Sequence, residues 1–235
     1  MMKLPIKNKH GFTLIEVMIT IVVFSVIITA VYAAHTSQQN TYQVQDKVVE
    51  MQQNIRAAMY LTTSDIRMAG YDPLGTTGAG ITVALPGRLQ LTADLDDNGA
   101  LGDPEELIDI GFSDAVNKDA DGDGIPDSDS DGDGVPDAIS VGRRIDNSAG
   151  GYQPIAENIQ AVEFLYFNST GAVTAVLGDI RSVQITILAR ASRSNQKFTN
   201  TMTYTTPSGQ TWGPYNDNFR RRMLTTNVRC RNLGL

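Results

Sequence analysis

Two stretches of this 235-residue chain space their oxygen-bearing side chains closely enough to share a hard cation. In Asp94-Leu95-Asp96-Asp97-Asn98-Gly99-Ala100-Leu101-Gly102-Asp103-Pro104-Glu105, oxygen ligands fall at positions 1, 3 and 5, glycine at 6 and glutamate at 12. That is the spacing of a 12-residue calcium loop: a turn brings alternate side chains around one ion, glycine permits the bend, and the last carboxylate closes the shell with two oxygens. The candidate ligands are Asp94, Asp96, Asn98, the carbonyl of Ala100, and Glu105. A solvated acidic turn between strands ending near Thr92 and beginning near Leu107 is the competing reading, since no helices are expected to flank the loop.

The second stretch, residues 119–137, is a ten-residue repeat. Asp119, Asp121, Asp123 and Asp127 recur as Asp129, Asp131, Asp133 and Asp137, and Gly124-Ile125-Pro126 is answered by Gly134-Val135-Pro136. Eight aspartates so close together repel one another, and divalent cations would offset that repulsion. The pattern resembles the type 3 repeats of thrombospondins, and the resemblance implies bound calcium. Position 12 of each copy is a serine, Ser130 or Ser140, so a closing ligand must come from elsewhere, Asp131 being a candidate in the first copy. Affinity would then be that of weak extracellular sites, on the order of 10⁻⁴ to 10⁻³ M. A disordered acidic linker is the competing reading.

Charge is distributed to match. Residues 94–137 hold 16 acidic side chains and one base, Lys118, so the rest of the chain is basic although the whole carries −7. Cations are therefore better partners than nucleic acid. Catalysis lacks a histidine in the C-terminal region, because the two histidines are His10 and His35. The single cysteine, Cys230, excludes an intrachain disulfide and reads as a buried or incidental thiol. Arg220-Arg221-Arg222 with Arg229 and Arg231 reads as a solvated edge or a pairing surface for acidic neighbours. The expectation is a protein that is not an enzyme.

Residues 12–34 form an apolar run whose only charge is Glu16. As a helix the run spans roughly 34 Å, enough for a bilayer core of about 30 Å. Lys3, Lys7 and Lys9 precede it and no further lysine or arginine occurs until Lys47, which favours a cytoplasmic N-terminus and an exported remainder. A cleaved secretory signal ending near Val31-Tyr32-Ala33 competes, but the run is longer than a signal core of about 7 to 15 residues. A carboxylate in such a segment needs a cationic partner. Cutting between Gly11 and Phe12 would create one, an α-amino group that a staggered neighbouring helix could bring to Glu16.

Lys9-His10-Gly11-Phe12-Thr13-Leu14-Ile15-Glu16 resembles the class III signal of type IV prepilins and type II secretion pseudopilins. The resemblance implies cleavage after Gly11 by a prepilin peptidase, N-methylation of Phe12, and a role for Glu16 in registering subunits in a helical filament. Gln53-Asn54-Ile55-Arg56-Ala57-Ala58 and Ser64-Asp65-Ile66-Arg67-Met68-Ala69-Gly70-Tyr71 are similar to the stalk end of PilW-type minor pilins, relatives of J-type minor pseudopilins. Residues 155–164 and 227–232 are similar to that family's later segments. The implied partners are other pilins or pseudopilins, the peptidase and the inner-membrane assembly machinery. The implied location is the bacterial inner membrane with a periplasmic head, then the pilus or cell surface. A J-type pseudopilin, and a membrane-anchored calcium-binding adhesin outside any filament, remain open alternatives.

These features need a scaffold. After Ala34, Val44, Val48, Met51, Ile55, Ala58, Thr62, Ile66 and Ala69 recur at three- and four-residue spacing, the period of one helical face. A helix from Phe12 to Ala69 is expected, with local melting near Thr62-Thr63-Ser64 and a stop at Gly70 and Pro73. Strands are expected at 88–92, 107–113, 138–145, 161–167, 182–191 and 198–205, with loops at 75–80 and 147–151. The expected fold is α+β and pilin-like: a long N-terminal helix packed on an antiparallel β-rich head. Its segments are a leader at 1–11, a membrane or filament-core half at 12–34, an amphipathic stalk at 35–70 and a head at 71–235.

Overall fold

The computed structural model describes residues 11–103, 105–112, 118–145 and 151–234. The leader before Gly11, and residues 147–150 of the loop expected at 147–151, lie outside the described residues. Two compact units divide the chain, Met1–Asp46 and Lys47–Leu235. One helix, α1 (Leu14–Met68), runs through both.

In the first unit α1 buries almost nothing. Its apolar side chains from Leu14 to Val31 are exposed, and an 18-residue window has a mean hydropathy of 2.7. Among the described residues this is the one helix long and apolar enough to cross a membrane.

In the second unit α1 becomes amphipathic, as its spacing predicts. Met51, Ile55, Ala58, Met59, Thr62 and Ile66 are buried and meet the inner face of a seven-stranded sheet. The helix is unbroken through Thr62-Thr63-Ser64. The expected melting does not occur because Thr62 is buried in the helix–sheet contact, and tertiary packing overrides weak propensity. Gly70 ends the helix with φ +78, and its N–H turns to the carbonyl of Thr92 at 3.0 Å. Asp65 pairs with Arg143 at 2.8 Å and fixes the same turn to the sheet. Ile66→Ala should cost about 3 kcal/mol through the cavity it leaves. For a chain of this size that lowers the melting temperature of the detergent-solubilised protein by roughly 6 to 12 °C.

The sheet is antiparallel throughout, in the order β1 (Ile81–Ala84), β2 (Leu89–Thr92), β3 (Leu107–Phe112), β4 (Ile139–Ile145), β5 (Gln153–Phe167), β6 (Ser182–Arg190), β9 (Arg221–Arg229). Val183, Ile185, Ile187 and Ala189 of β6 face the helix, as their alternation requires. Leu188 points the other way, into a smaller cluster with Ala161, Tyr204 and Trp212 under a two-stranded ribbon, β7 (Tyr204–Thr205) and β8 (Thr211–Trp212).

Several expectations need correction. The strand expected at 198–205 shrinks to β7, because Asn200 is spent on side-chain bonds to Tyr204 and the Phe219 carbonyl and does not enter a ladder beyond one bridge with Asp217. β5 begins eight residues before the expected Ala161. The basic C-terminal run forms the edge strand β9 with Arg222, Arg229 and Arg231 exposed, as a solvated edge would be, but the Arg221 side chain is fully buried, paired with Asp217 at 2.6 Å and bonded to Gln160. Cys230 is buried, as expected, and burial pushes its thiol up to about 11.

The length of β5 has a consequence for the acidic window. Its first half pairs with β4 as far as Ile159, and its second half pairs with β6 from Ile159 to Phe167. On the edge facing away from β6, Val173 bridges Phe167 and the Thr174 N–H donates to the Tyr166 carbonyl, but from Gln160 to Leu165 no strand lies beside it among the described residues. Two turns cover it: Val162 N–H donates to the Gly124 carbonyl and Phe164 N–H to the Pro86 carbonyl, both at 2.8 Å. An uncovered edge of a central strand is a template for wrong pairing, so this cover matters.

Candidate functional site

At the N-terminus of α1, Glu16 already has partners within its own chain. Its Oε2 accepts the Thr13 N–H and the Thr13 hydroxyl, each at 2.8 Å, while the Glu16 N–H donates back to Thr13 Oγ1 at 3.3 Å. This is a reciprocal capping box, and Thr13-Leu14-Ile15-Glu16 is its sequence signature. The helix thus starts just past the Gly11–Phe12 bond, with Phe12 exposed. Glu16 satisfies backbone groups at a helix start, where its charge also suits the dipole.

Among its described residues the acidic window forms three groups in which one oxygen from each of three carboxylates lies within 4.8 Å of the others. The first is Asp94, Asp96 and Glu106. Glu105, the residue that the 12-residue spacing selects, is exposed and has φ +74. That left-handed kink rotates the next residue inward, so Glu106 is buried and its carboxylate accepts the N–H groups of Leu95, Gly102 and Asp103. The amides of Gly102 and Asp103 hold its carboxyl below the ordinary glutamate range. Asn98 bridges Asp96 and Asp103 through its amide, and its Oδ1 accepts the Ala100 N–H. Both oxygens of Asp94 are occupied by the Asn98 and Gly99 N–H groups.

The other groups come from the repeat: Asp119 with Asp121 and Asp123, and Asp129 with Asp131 and Asp133. Asp127 and Asp137 stand outside them and close the turns, accepting the N–H groups of Ala120 and Ser130 at 2.7 and 2.9 Å. The two copies differ in burial. Asp129, Asp131 and Asp133 are exposed, and both Asp129 oxygens accept amides, from Gly132 and Gly134. Asp119 is only 5% exposed; its Oδ2 accepts Gly124 N–H at 3.1 Å, and its buried Oδ1 has no hydrogen-bond partner among the described residues. Burial, and then the charge of Asp123, push the Asp119 carboxyl up to about 6. Hard oxygen donors in such groups suit a calcium-like cation.

Residues 6–32 match a family described as the prokaryotic N-terminal methylation motif. Residues 167–232 match Type IV Pilus-assembly protein W. Together the two matches support a type IV pilin family. The first frames Gly11, Phe12 and Glu16; the second runs from the end of β5 through β9 and Cys230. No curated protein matches the chain. Among solved structures, the Type IV-like pilin TTHA1219 from Thermus thermophilus is similar over 78% of this chain and 97% of its own, at 14% identity and a TM-score of 0.47. The apolar helix and the methylation motif fit membrane anchoring of this pilin-like chain.

Sequence spacing missed Glu106 and the intrachain role of Glu16. The second carried a readable signal in its T-x-x-E pattern. The first did not, because a left-handed glutamate cannot be foreseen from a motif count.

Proposed function

We propose that the chain is a PilW-like minor pilin, a structural subunit that is processed after Gly11, joins a filament through α1 and displays the β-rich head. The supporting observation is the coincidence of the methylation-motif match with a helix that begins beside Gly11–Phe12 and exposes an apolar surface for its first 18 residues or so. Such a surface requires lipid or the apolar helices of neighbouring subunits. The PilW match in the head favours a minor over a major subunit. The role is assembly, initiation or tip display, not catalysis, and calcium held by the acidic window stabilises the head.

Mass spectrometry of the mature N-terminus tests the first part. An N-methylated Phe12 is expected; an intact leader, or a terminus near His35, would sink the reading. Glu16→Ala should leave membrane insertion intact and reduce incorporation into filaments several-fold, measured as the ratio of sheared to membrane-bound subunit. Equal incorporation would leave Glu16 with its capping role alone. For calcium, the melting temperature of the full chain in detergent should fall on adding chelator.

A further inference from the structure

The repeat is symmetric in sequence, but its copies occupy different places in the fold. The first copy lies on the sheet: Gly122 accepts the Gly87 N–H at 2.8 Å, Gly124 accepts the Val162 N–H, and Ile125 packs against the cluster of Ala161, Leu188, Tyr204 and Trp212. Gly122, Gly124 and Pro126 are buried, whereas Gly132 and Gly134 of the second copy are exposed, with open space where a side chain would go. Both copies contain three clustered carboxylates. Only the first has a buried carboxylate oxygen, Asp119 Oδ1, left without a hydrogen bond.

A buried, unpaired carboxylate oxygen beside two more carboxylates is costly unless a cation neutralises it. Among the described residues no ion pair reaches Asp119, Asp121 or Asp123. Arg88 lines the cavity of about 270 Å³ that opens beside Asp119 and Asp121, but its guanidinium is committed to Asp109 through two bonds of 3.0 and 2.6 Å. That cavity gives an ion a hydrated approach to the cluster.

We propose that the first repeat is the structural cation site of the head and that a calcium ion held by Asp119, Asp121 and Asp123 locks it as the cover of the open β5 edge, while the second repeat does no such work. The proposal rests on the reading that the acidic window takes up calcium. The mechanism is electrostatic. Without the ion, repulsion among the three carboxylates opposes the tight turn that presents the Gly124 carbonyl to Val162; with it, the turn closes and the β5 edge is sealed. Occupancy then controls whether the Val162 and Phe164 amides are exposed to solvent or to another strand.

Hydrogen–deuterium exchange on the detergent-solubilised full chain tests this, with calcium at about 5 mM, above the range of weak extracellular sites, and then with chelator. Calcium should slow exchange across residues 160–166 by about tenfold or more, in the parent and in Asp129→Asn/Asp133→Asn. In Asp119→Asn/Asp123→Asn the calcium effect there should vanish; asparagine keeps an acceptor for Gly124, and Asp123→Asn alone provides a milder variant should the double one unfold. Calorimetric titration of the same proteins separates the two layers. No calcium uptake by the parent would overturn the calcium reading itself. Uptake without protection of 160–166, or protection lost in the second-repeat variant instead, would overturn the lock while leaving calcium binding in place.

Discussion

Gly124→Ala is expected to destabilise the head by about 3 to 5 kcal/mol, while the same change at Gly134, its counterpart ten residues on, costs only about 1 kcal/mol. Both glycines hold left-handed backbone, φ +86 and +80. The shared cost is the penalty of that conformation for an L-residue. The difference lies in what surrounds them. A methyl at Gly124 would overlap the Val162 carbonyl oxygen, while at Gly134 it would meet nothing. The backbone must then move off β5, leaving the buried Val162 N–H unpaired, at about 1 to 3 kcal/mol, and pulling Ile125 from its cluster. Gly87, facing Gly124 across the same contact, is equally tight: a methyl there would overlap Asp119 Oδ2. Thermal unfolding of the two variants side by side is the measurement, and equal losses would refute the docking of the first repeat as the cause.

Asp109→Asn is expected to cost roughly 3 kcal/mol, the low end of the range for breaking a buried ion pair. The Asp109 side chain is fully buried and accepts Arg88 on both oxygens and Arg144 at 2.7 Å, tying the β2 end of the hairpin to β3 and β4. Both arginines keep partial contact with water, side chains 31% and 21% exposed, which limits the penalty of leaving them unpaired. Burial alone would raise the Asp109 carboxyl; the Arg88 and Arg144 guanidiniums override it and hold it below the ordinary 3.8. A depressed carboxyl stabilises the fold above its unfolded value and loses that contribution as pH falls through the folded one. Asp217, held low by Arg221 despite burial, acts in the same direction. The stability these two carboxylates contribute should therefore be retained down to about pH 4 and decline below it, and in Asp109→Asn this acid-limb decline should be shallower. An unchanged acid limb in the variant would remove Asp109 from the account.

The amphipathic half of α1 was legible because its burial depends on one helix period, and every residue of the expected face from Met51 to Ile66 is buried. β6 was legible for the same reason, its alternation being local. The burial of Arg221 in β9 was not: among five arginines near the C-terminus nothing local marks it as the one that Asp217 and the distant Gln160 hold inside. The eight-residue early start of β5 at Gln153 was hidden too, because that stretch contains Pro154 and the polar residues Gln153, Glu157, Asn158 and Gln160, and pairs with β4 only through an irregular register.

At the candidate sites the division is sharper. Residue types and spacing alone determined the membrane-length helix and the clustering of the aspartates in the acidic window, because each rests on neighbours within about two dozen residues. Only the tertiary structure decided that Glu106 stands where the spacing expects Glu105, since one left-handed residue turns it inward. It also decided that two repeats with the same aspartates are unequal. One lies on the edge of β5 with a carboxylate oxygen sealed from water, the other leaves its three clustered aspartates exposed, and burial, which no repeat pattern encodes, makes that difference.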